Sequence, residues 1–490
     1  MSWSSRWRSL ALLGLAGCAS LRRGPAADNY VAGRLVTLND NGAWSWFMDE
    51  RAIVGDGKLV VGSVRATGKY SSDSNPDWGN VEVAAYDLRS GVVGRVVLHK
   101  HFQQDDHDNP AFLALPDGRY LAVYSKHGVE RRVYYRFSAP HDPLAWGPAL
   151  AFETPGSDAR RLTGVNVTYS NLFPLRTGRI LNFFRGIGQG PNYMYSDDTA
   201  RTWSYGGRLL VGRGGYSPYL KYAFDGENTI HFVATDDHPR NYDNSVYHGF
   251  IRDGTVYLSD GTRRGRLTSD TTVELNAWDL TRVFSGDPDN VAWVIDLELD
   301  ADHRPRVVFS VQKDGRGLPR GQGGMDHRYY YGRWDGAAWR VNEIAYAGTR
   351  LYAGEDDYTG LAAIDPRDPN VVFIATDADP VSGAPLLSRA DHRRHHELYR
   401  GVTANGGVTW EWTPITANST TDNLRPIVPK WSDARTALVW MRGKYSNNHG
   451  EWTTAVVATI LTPRDLVEGR RRSTLSSTSG PPRSRTRIRP

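Results

Sequence analysis

The sequence predicts an all-β chain folded as a seven-bladed β-propeller. Three observations carry this. A short apolar strand, a polar turn and a second apolar strand recur seven times between about residue 28 and residue 462, roughly every 60 residues, and fixed periods of that size mark solenoids or propellers. The chain is rich in aromatic and turn-forming residues, with 16 Trp, 25 Tyr, 50 Gly and 26 Pro, which suits pleated strands joined by tight turns. No convincing amphipathic helix interrupts the pattern.

The first element is a targeting segment. Arg6 and Arg8 precede the apolar run Leu10 to Ala16, which is too short to span a membrane. It ends in Leu15-Ala16-Gly17-Cys18, which resembles a bacterial lipobox. The expectation is a lipoprotein signal peptide over 1–17, lipidated Cys18 opening a short linker over 18–27, the propeller over 28–462 and a disordered tail over 463–490. Cys18 is the only cysteine, so no disulfide forms within the chain and stability must come from packing. The tail has seven arginines and no acids from Arg470 onward. Without those arginines the net charge changes from +5 to −2, and without Arg6 and Arg8 as well to −4. The alkaline balance therefore belongs to the ends, and the body does not read as a nucleic-acid-binding surface. Membrane association is expected only through the N-terminal lipid anchor, on a monomer displayed in the bacterial envelope or secreted.

Within the body, turns are predicted at Asp56-Gly57, Asp117-Gly118, Thr177-Gly178, Asp225-Gly226, Ala301-Asp302, Arg367-Asp368 and Asp433-Ala434. The strands after them are Lys58–Val64, Tyr120–Tyr124, Ile180–Phe184, Thr229–Ala234, Pro305–Val311, Val371–Thr376 and Thr436–Met441. A four-stranded blade needs about 40–60 residues, so seven fill the chain. Ser196-Asp197-Asp198-Thr199-Ala200-Arg201-Thr202-Trp203 resembles the Asp-box S-x-D-x-G-x-T-W, with Ala200 for Gly. Thr403 to Trp410 resembles it with Asn405 for Asp. This motif closes a turn and packs its Trp between blades; it carries no catalysis.

The chemistry gathers around two hairpins. His107 and His127 lie almost equally far from Asp117-Gly118, and antiparallel pairing puts equidistant positions face to face. Tyr169 and Arg185 stand in nearly the same relation to Thr177-Gly178, 62 residues after His107 and 58 after His127. Successive blades would bring the four to one rim of the central channel. The set offers proton-transfer groups and a fixed cation but no pair of carboxylates, which glycoside hydrolysis usually requires. It matches β-elimination next to a carboxylate, where Arg neutralises the carboxylate and His or Tyr moves protons. The alternative is that these residues only line the channel and cap a turn. No phosphate loop, CxxC pair, HExxH or G-x-S-x-G is present. His238 and the pair His395-His396 read as surface or hydrogen-bonded histidines. The many Asp and His residues are compatible with a structural calcium or zinc, but no ligand set assembles from sequence.

Several stretches resemble the BNR-4 repeat proteins: Asp105-Asp106-His107-Asp108-Asn109-Pro110, Ser125-Lys126-His127-Gly128, Thr168-Tyr169-Ser170-Asn171 and Phe184-Arg185-Gly186. Trp44-Ser45-Trp46-Phe47, Tyr219-Leu220-Lys221-Tyr222, His238-Pro239-Arg240-Asn241 and Asp422-Asn423-Leu424-Arg425-Pro426 extend the similarity over about residues 40–460. Within that group the chain is similar to the ulvan lyases of polysaccharide lyase families 24 and 25. The resemblance implies a seven-bladed propeller that cleaves an acidic, sulfated polysaccharide by β-elimination, leaving an unsaturated uronyl end. It implies His107 as base or acid, Tyr169 as its partner, His127 holding the uronate and Arg185 paired with its carboxylate. A further tyrosine would be Tyr219 or Tyr222, with Tyr219 favoured because alternation puts it on the face of Lys221. Lys221, Arg425 and Trp46 are expected to bind neighbouring sugars or sulfate. The cysteine-containing zinc site of some relatives has no counterpart in the body. Two rival readings remain: a sialidase-type glycoside hydrolase, for which the arginine cluster and Tyr-Glu pair are not found, and a non-catalytic glycan-binding propeller.

Overall fold

The computed structural model describes residues 28–48, 51–66, 76–155, 165–211, 217–267, 275–319, 321–447 and 450–466. The signal segment, Cys18, the linker before 28 and the tail beyond 466 lie outside the described residues. Seven antiparallel sheets follow one another along the chain. Each begins with the predicted hairpin, and all seven predicted turns fall between the first and second strands of a blade.

Blade 1 runs through Ala52–Gly55, Lys58–Val64, Val81–Asp87 and Val93–His99, and blade 2 through Ala111–Ala114, Tyr120–Tyr124, Arg132–Ala139 and an outer edge split into Asp142–Trp146 and Leu150–Glu153. Blade 3 holds Val165–Pro174, Ile180–Ile187, Pro191–Ser196 and Ser204–Arg208. Blade 4 starts with Leu220–Phe224, Thr229–Thr235 and Val246–Arg252 and carries an added outer hairpin, Thr255–Leu258 with Arg263–Arg266, besides Thr281–Phe284. That addition explains the long interval before the next repeat. Blade 5 spans Val291–Leu299 to Trp339–Gly348 and blade 6 Ala362–Ile364 to Glu411–Pro414. Blade 7 takes Asn423–Ile427, Thr436–Arg442 and Ala455–Leu461, and its outermost strand is Val36–Asn39 from the other end of the body. The register Val36↔Ala458 and Thr37↔Val457 closes the ring. The sequence pattern gives no hint of this closure, because the two partners lie at opposite ends of the chain.

The second strands are buried on both faces, as in Lys58–Val64, Thr229–Thr235 and Val371–Thr376. They sit inside a blade and between its neighbours, so they read as continuous apolar runs instead of alternating ones. Both Asp-box turns form. Asp198 accepts from Thr202 N–H at 2.9 Å and Asn405 from Thr409 N–H at 2.9 Å. Trp203 packs on Tyr135 of blade 2 and Trp410 on Tyr331 of blade 5, so each stitches neighbouring blades. Among the described residues no helix is long and apolar enough to cross a membrane.

Candidate active site

The hairpin register Ala111↔Val123, continued outward, places His107 opposite His127. Their imidazoles stack with centroids 3.8 Å apart and planes 11° apart. His107 sits in the short helical turn Asp106–Asp108, capped by Asp105, whose side chain accepts the His107 N–H. The same carboxylate then holds both rings: His107 Nδ1 is 2.7 Å from Asp105 Oδ1 and His127 Nδ1 is 2.8 Å from Asp105 Oδ2. A carboxylate only accepts, so each Nδ1 carries a proton and each Nε2 is left for other work. The loop is pressed onto blade 1. Asn109 Nδ2 donates to Gly62 O at 2.9 Å. A Cβ at Gly62 would come within 2.7 Å of Pro110, so only glycine admits this approach.

Tyr169 reaches the pair from blade 3, its hydroxyl 2.9 Å from His107 Nε2. It does so through a β-bulge. The register pairs Thr168, not Tyr169, with Arg185, and shifts before Asn171. Tyr169 takes φ 60°, which turns its side chain out of the strand alternation and onto the histidines. The Arg185 guanidinium lies over the Tyr169 ring at 4.5 Å and its Nη2 donates to Tyr219 OH at 2.9 Å. Tyr219 packs edge-on against Tyr169 and Phe47. The structure thus brings together His107, His127, Tyr169, Arg185 and Tyr219.

The other expected binding residues sit elsewhere. Lys221 is buried and its ammonium donates to the Met48 carbonyl, so it serves the packing of blade 4 and does not point at a sugar. Tyr222 is buried between blades 3 and 4, stacked on Phe183. Trp46 is buried, its indole N–H bonded to Thr359 O at 2.9 Å, and it offers its face to Arg425 at 4.4 Å. His395 and His396 are hydrogen-bonded to Asp391 and Asp422. His238, alone in sequence, joins Glu355 and Asp357 in a set able to hold a cation, as do Asp105, His107 and His127. Sequence reasoning misses Asp105 and Asp106 as functional, although they adjoin His107 in the same motif. It also misses Tyr445, whose hydroxyl donates to Asp106 Oδ2 at 2.6 Å.

The electrostatics split the two histidines. Burial opposes charge on His107, but Asp105 and Asp106 outweigh it and raise its pKa to about 9. Burial lowers His127 to about 4, helped by the charge of His107 and by Arg185, against Asp105. Burial pushes Tyr169 far above its ordinary value, with Arg185 pulling the other way. At neutral pH the site holds one imidazolium, one neutral imidazole and a neutral phenol.

This makes stability depend on pH. His107 binds its proton more tightly folded than unfolded. Its contribution is full below about 6.5 and is lost as pH rises through about 9. His127 has the opposite sign, and folding loses ground as pH falls from about 6.5 through about 4. The melting temperature is therefore expected to fall from near-neutral pH toward pH 9, and Asp105→Asn should flatten that fall. Calorimetric melts of both proteins across pH check this; parallel curves would refute it.

A family model described as BNR repeat-containing family member matches residues 70–347, more than half of the chain. The chain belongs to the BNR repeat-containing family. Comparison of this BNR repeat protein with curated proteins by sequence gives no match. Among solved structures it is similar to a polysaccharide lyase of family PL25, an ulvan lyase, at 15% identity and TM-score 0.61, covering 89% of this chain and 99% of that one. That structure is bound to a GlcA(1-4)Rha3S ligand. The polysaccharide lyase Uly1 matches at 10% identity and TM-score 0.52, over 88% of this chain and 100% of its own. These likenesses agree with the seven-bladed fold.

Proposed function

We propose that this BNR repeat protein is a polysaccharide lyase acting by β-elimination on a uronic-acid-containing, sulfated polysaccharide of the ulvan kind. The observation that carries the reading is the Tyr169 hydroxyl, 2.9 Å from His107 Nε2 with Arg185 over its ring. A proton shuttle thus stands beside a cation suited to a carboxylate. The nearest carboxylate is spent on the two histidines, which argues against a two-carboxylate hydrolase. The names of the structurally similar lyases support the same reading.

In the reaction the C5–H bond breaks, its electrons form the C4–C5 double bond, and the C4–O bond breaks with protonation of the leaving oxygen. Arg185 holds the carboxylate, so that negative charge developing on it is neutralised, and His127, whose Nδ1–H is kept by Asp105, joins it only once Nε2 is protonated. His107 and Tyr169 share the two proton transfers across their hydrogen bond. Both are protonated at neutral pH, so either can donate to the leaving oxygen, and the one that takes the C5 proton must first give up its own; the order of the two follows the C5 configuration of the sugar. A separate groove of about 1090 Å³ is lined in part by Arg240, Arg282 and Arg316. Arg240 contacts His238, which packs against Tyr219. The groove would take sugars flanking the scissile bond. The resemblance of Leu15-Ala16-Gly17-Cys18 to a lipobox supports a lipid-anchored enzyme of the cell envelope.

Incubation with ulvan and other polyuronates tests this. Ultraviolet absorbance from the conjugated uronyl end is expected to rise, and His107→Ala should abolish the rise. Reducing ends without absorbance would indicate a hydrolase, and binding without either product a glycan-binding propeller.

A further inference from the structure

Blade 7 contributes a charge that the elimination scheme leaves idle. Arg425 lies in Asn423–Ile427, the first strand of that blade, and is 3% exposed. Its guanidinium rests on the face of Trp46, and Nε and Nη1 are buried with no hydrogen-bond partner among the described residues. Burial draws its pKa down to about 9, although Asp106, Tyr445, Tyr358 and Tyr169 all favour the charged form. A buried cation without hydrogen-bonded counter-charge destabilises a fold, so packing alone does not account for it.

The backbone is strained at the same point. Fourteen non-glycine residues have positive φ among the described residues, and only Tyr169 and Arg425, at 60° and 56°, lie inside strands. Each sits at a register shift, between Thr168 and Asn171 in blade 3 and between Leu424 and Ile427 in blade 7. A bulge re-aims a side chain, and such strain collects at functional sites. The two bulged residues are also electrostatic neighbours, since Tyr169 is among the groups that act on Arg425.

We infer that Arg425 is a binding residue for an oxyanion of the substrate, a second guanidinium brought from blade 7 to the Tyr169 site that Arg185 serves from blade 3. The oxyanion is either the uronate carboxylate or a sulfate ester, because a planar guanidinium fork matches both. The inference rests on the lyase reading only for the identity of the sugar; the anion site stands or falls by itself.

The test measures thermal melting of the wild type, Arg425→Met and Arg425→Lys, without anion and with sodium glucuronate or sodium sulfate against chloride of equal ionic strength. Without anion, Arg425→Met is expected to melt above the wild type, because an uncompensated charge has gone. It should bind one of the two anions at least about tenfold more weakly. Arg425→Lys, which keeps the charge and loses the fork, should fall between. Loss confined to sulfate assigns the sulfate ester, and loss confined to glucuronate assigns the carboxylate. If Arg425→Met fails to fold, the lysine variant decides on the anion titrations alone. Wild-type anion affinity in the variants, or no affinity in the wild type, overturns the inference. Anion binding that depends on Arg425 in a protein making no elimination product would sink the lyase reading and leave this one standing.

Discussion

Tyr169→Phe is expected to lower kcat/KM for elimination by about a hundred- to ten-thousand-fold, the range for removing a positioned proton-transfer group. The substitution deletes one oxygen, the one 2.9 Å from His107 Nε2. The ring keeps its place under Arg185 and against Tyr219, so the pocket keeps its shape. His107 loses a partner while 5% exposed, which costs about 1–3 kcal/mol of stability and leaves the protein folded. Initial rates from product absorbance, paired with a circular-dichroism melt, separate the two effects. A phenylalanine variant with half or more of the wild-type rate would remove Tyr169 from the chemistry.

The second large effect is expected at Arg185. Arg185→Lys keeps a positive charge but loses the planar fork, and kcat should drop by about a hundred- to a thousand-fold. The loss should appear in kcat more than in KM. The carboxylate gains its extra negative charge only as the C5 proton leaves, so the lost interaction belongs to the transition state. Tyr219→Phe provides the comparison. It removes the acceptor of the Arg185 Nη2–H and leaves the guanidinium in place, so its loss should be smaller. Steady-state kinetics of the two variants on one polyuronate decide this. A lysine variant altered only in KM would make Arg185 a simple binding group.

What the sequence makes legible is whatever a turn dictates locally. Asp117-Gly118 sets a register, and a register carried outward pairs His107 with His127 without further information. The same reasoning at Thr177-Gly178 gives a pairing that the structure does not have. It sets Tyr169 opposite Arg185, whereas the bulge gives that place to Thr168. Spacing does not reveal a bulge, because the extra residue is not accompanied by a glycine. Lys221 is misplaced for a related reason. Alternation is counted from Tyr219, which lies just ahead of Leu220–Phe224, where the pleat does not yet apply. Tyr445 is out of reach of any local pattern, since it meets Asp106 across 339 positions. Trp46 stands out by its motif, but its position differs from the one expected, since it underlies Arg425 instead of facing a sugar.

The ring closure has a bearing on synthesis. Among the described residues Val36–Asn39 pairs with Ala455–Leu461, so the last interface cannot form until nearly the whole body has left the ribosome. Until then the nascent chain carries an unsatisfied ribbon near its start and an open edge on its newest sheet, both templates for pairing with the wrong strand. Such long-range pairing forms slowly. Export before folding, or a holdase that shields the early strand, would protect the protein during that interval.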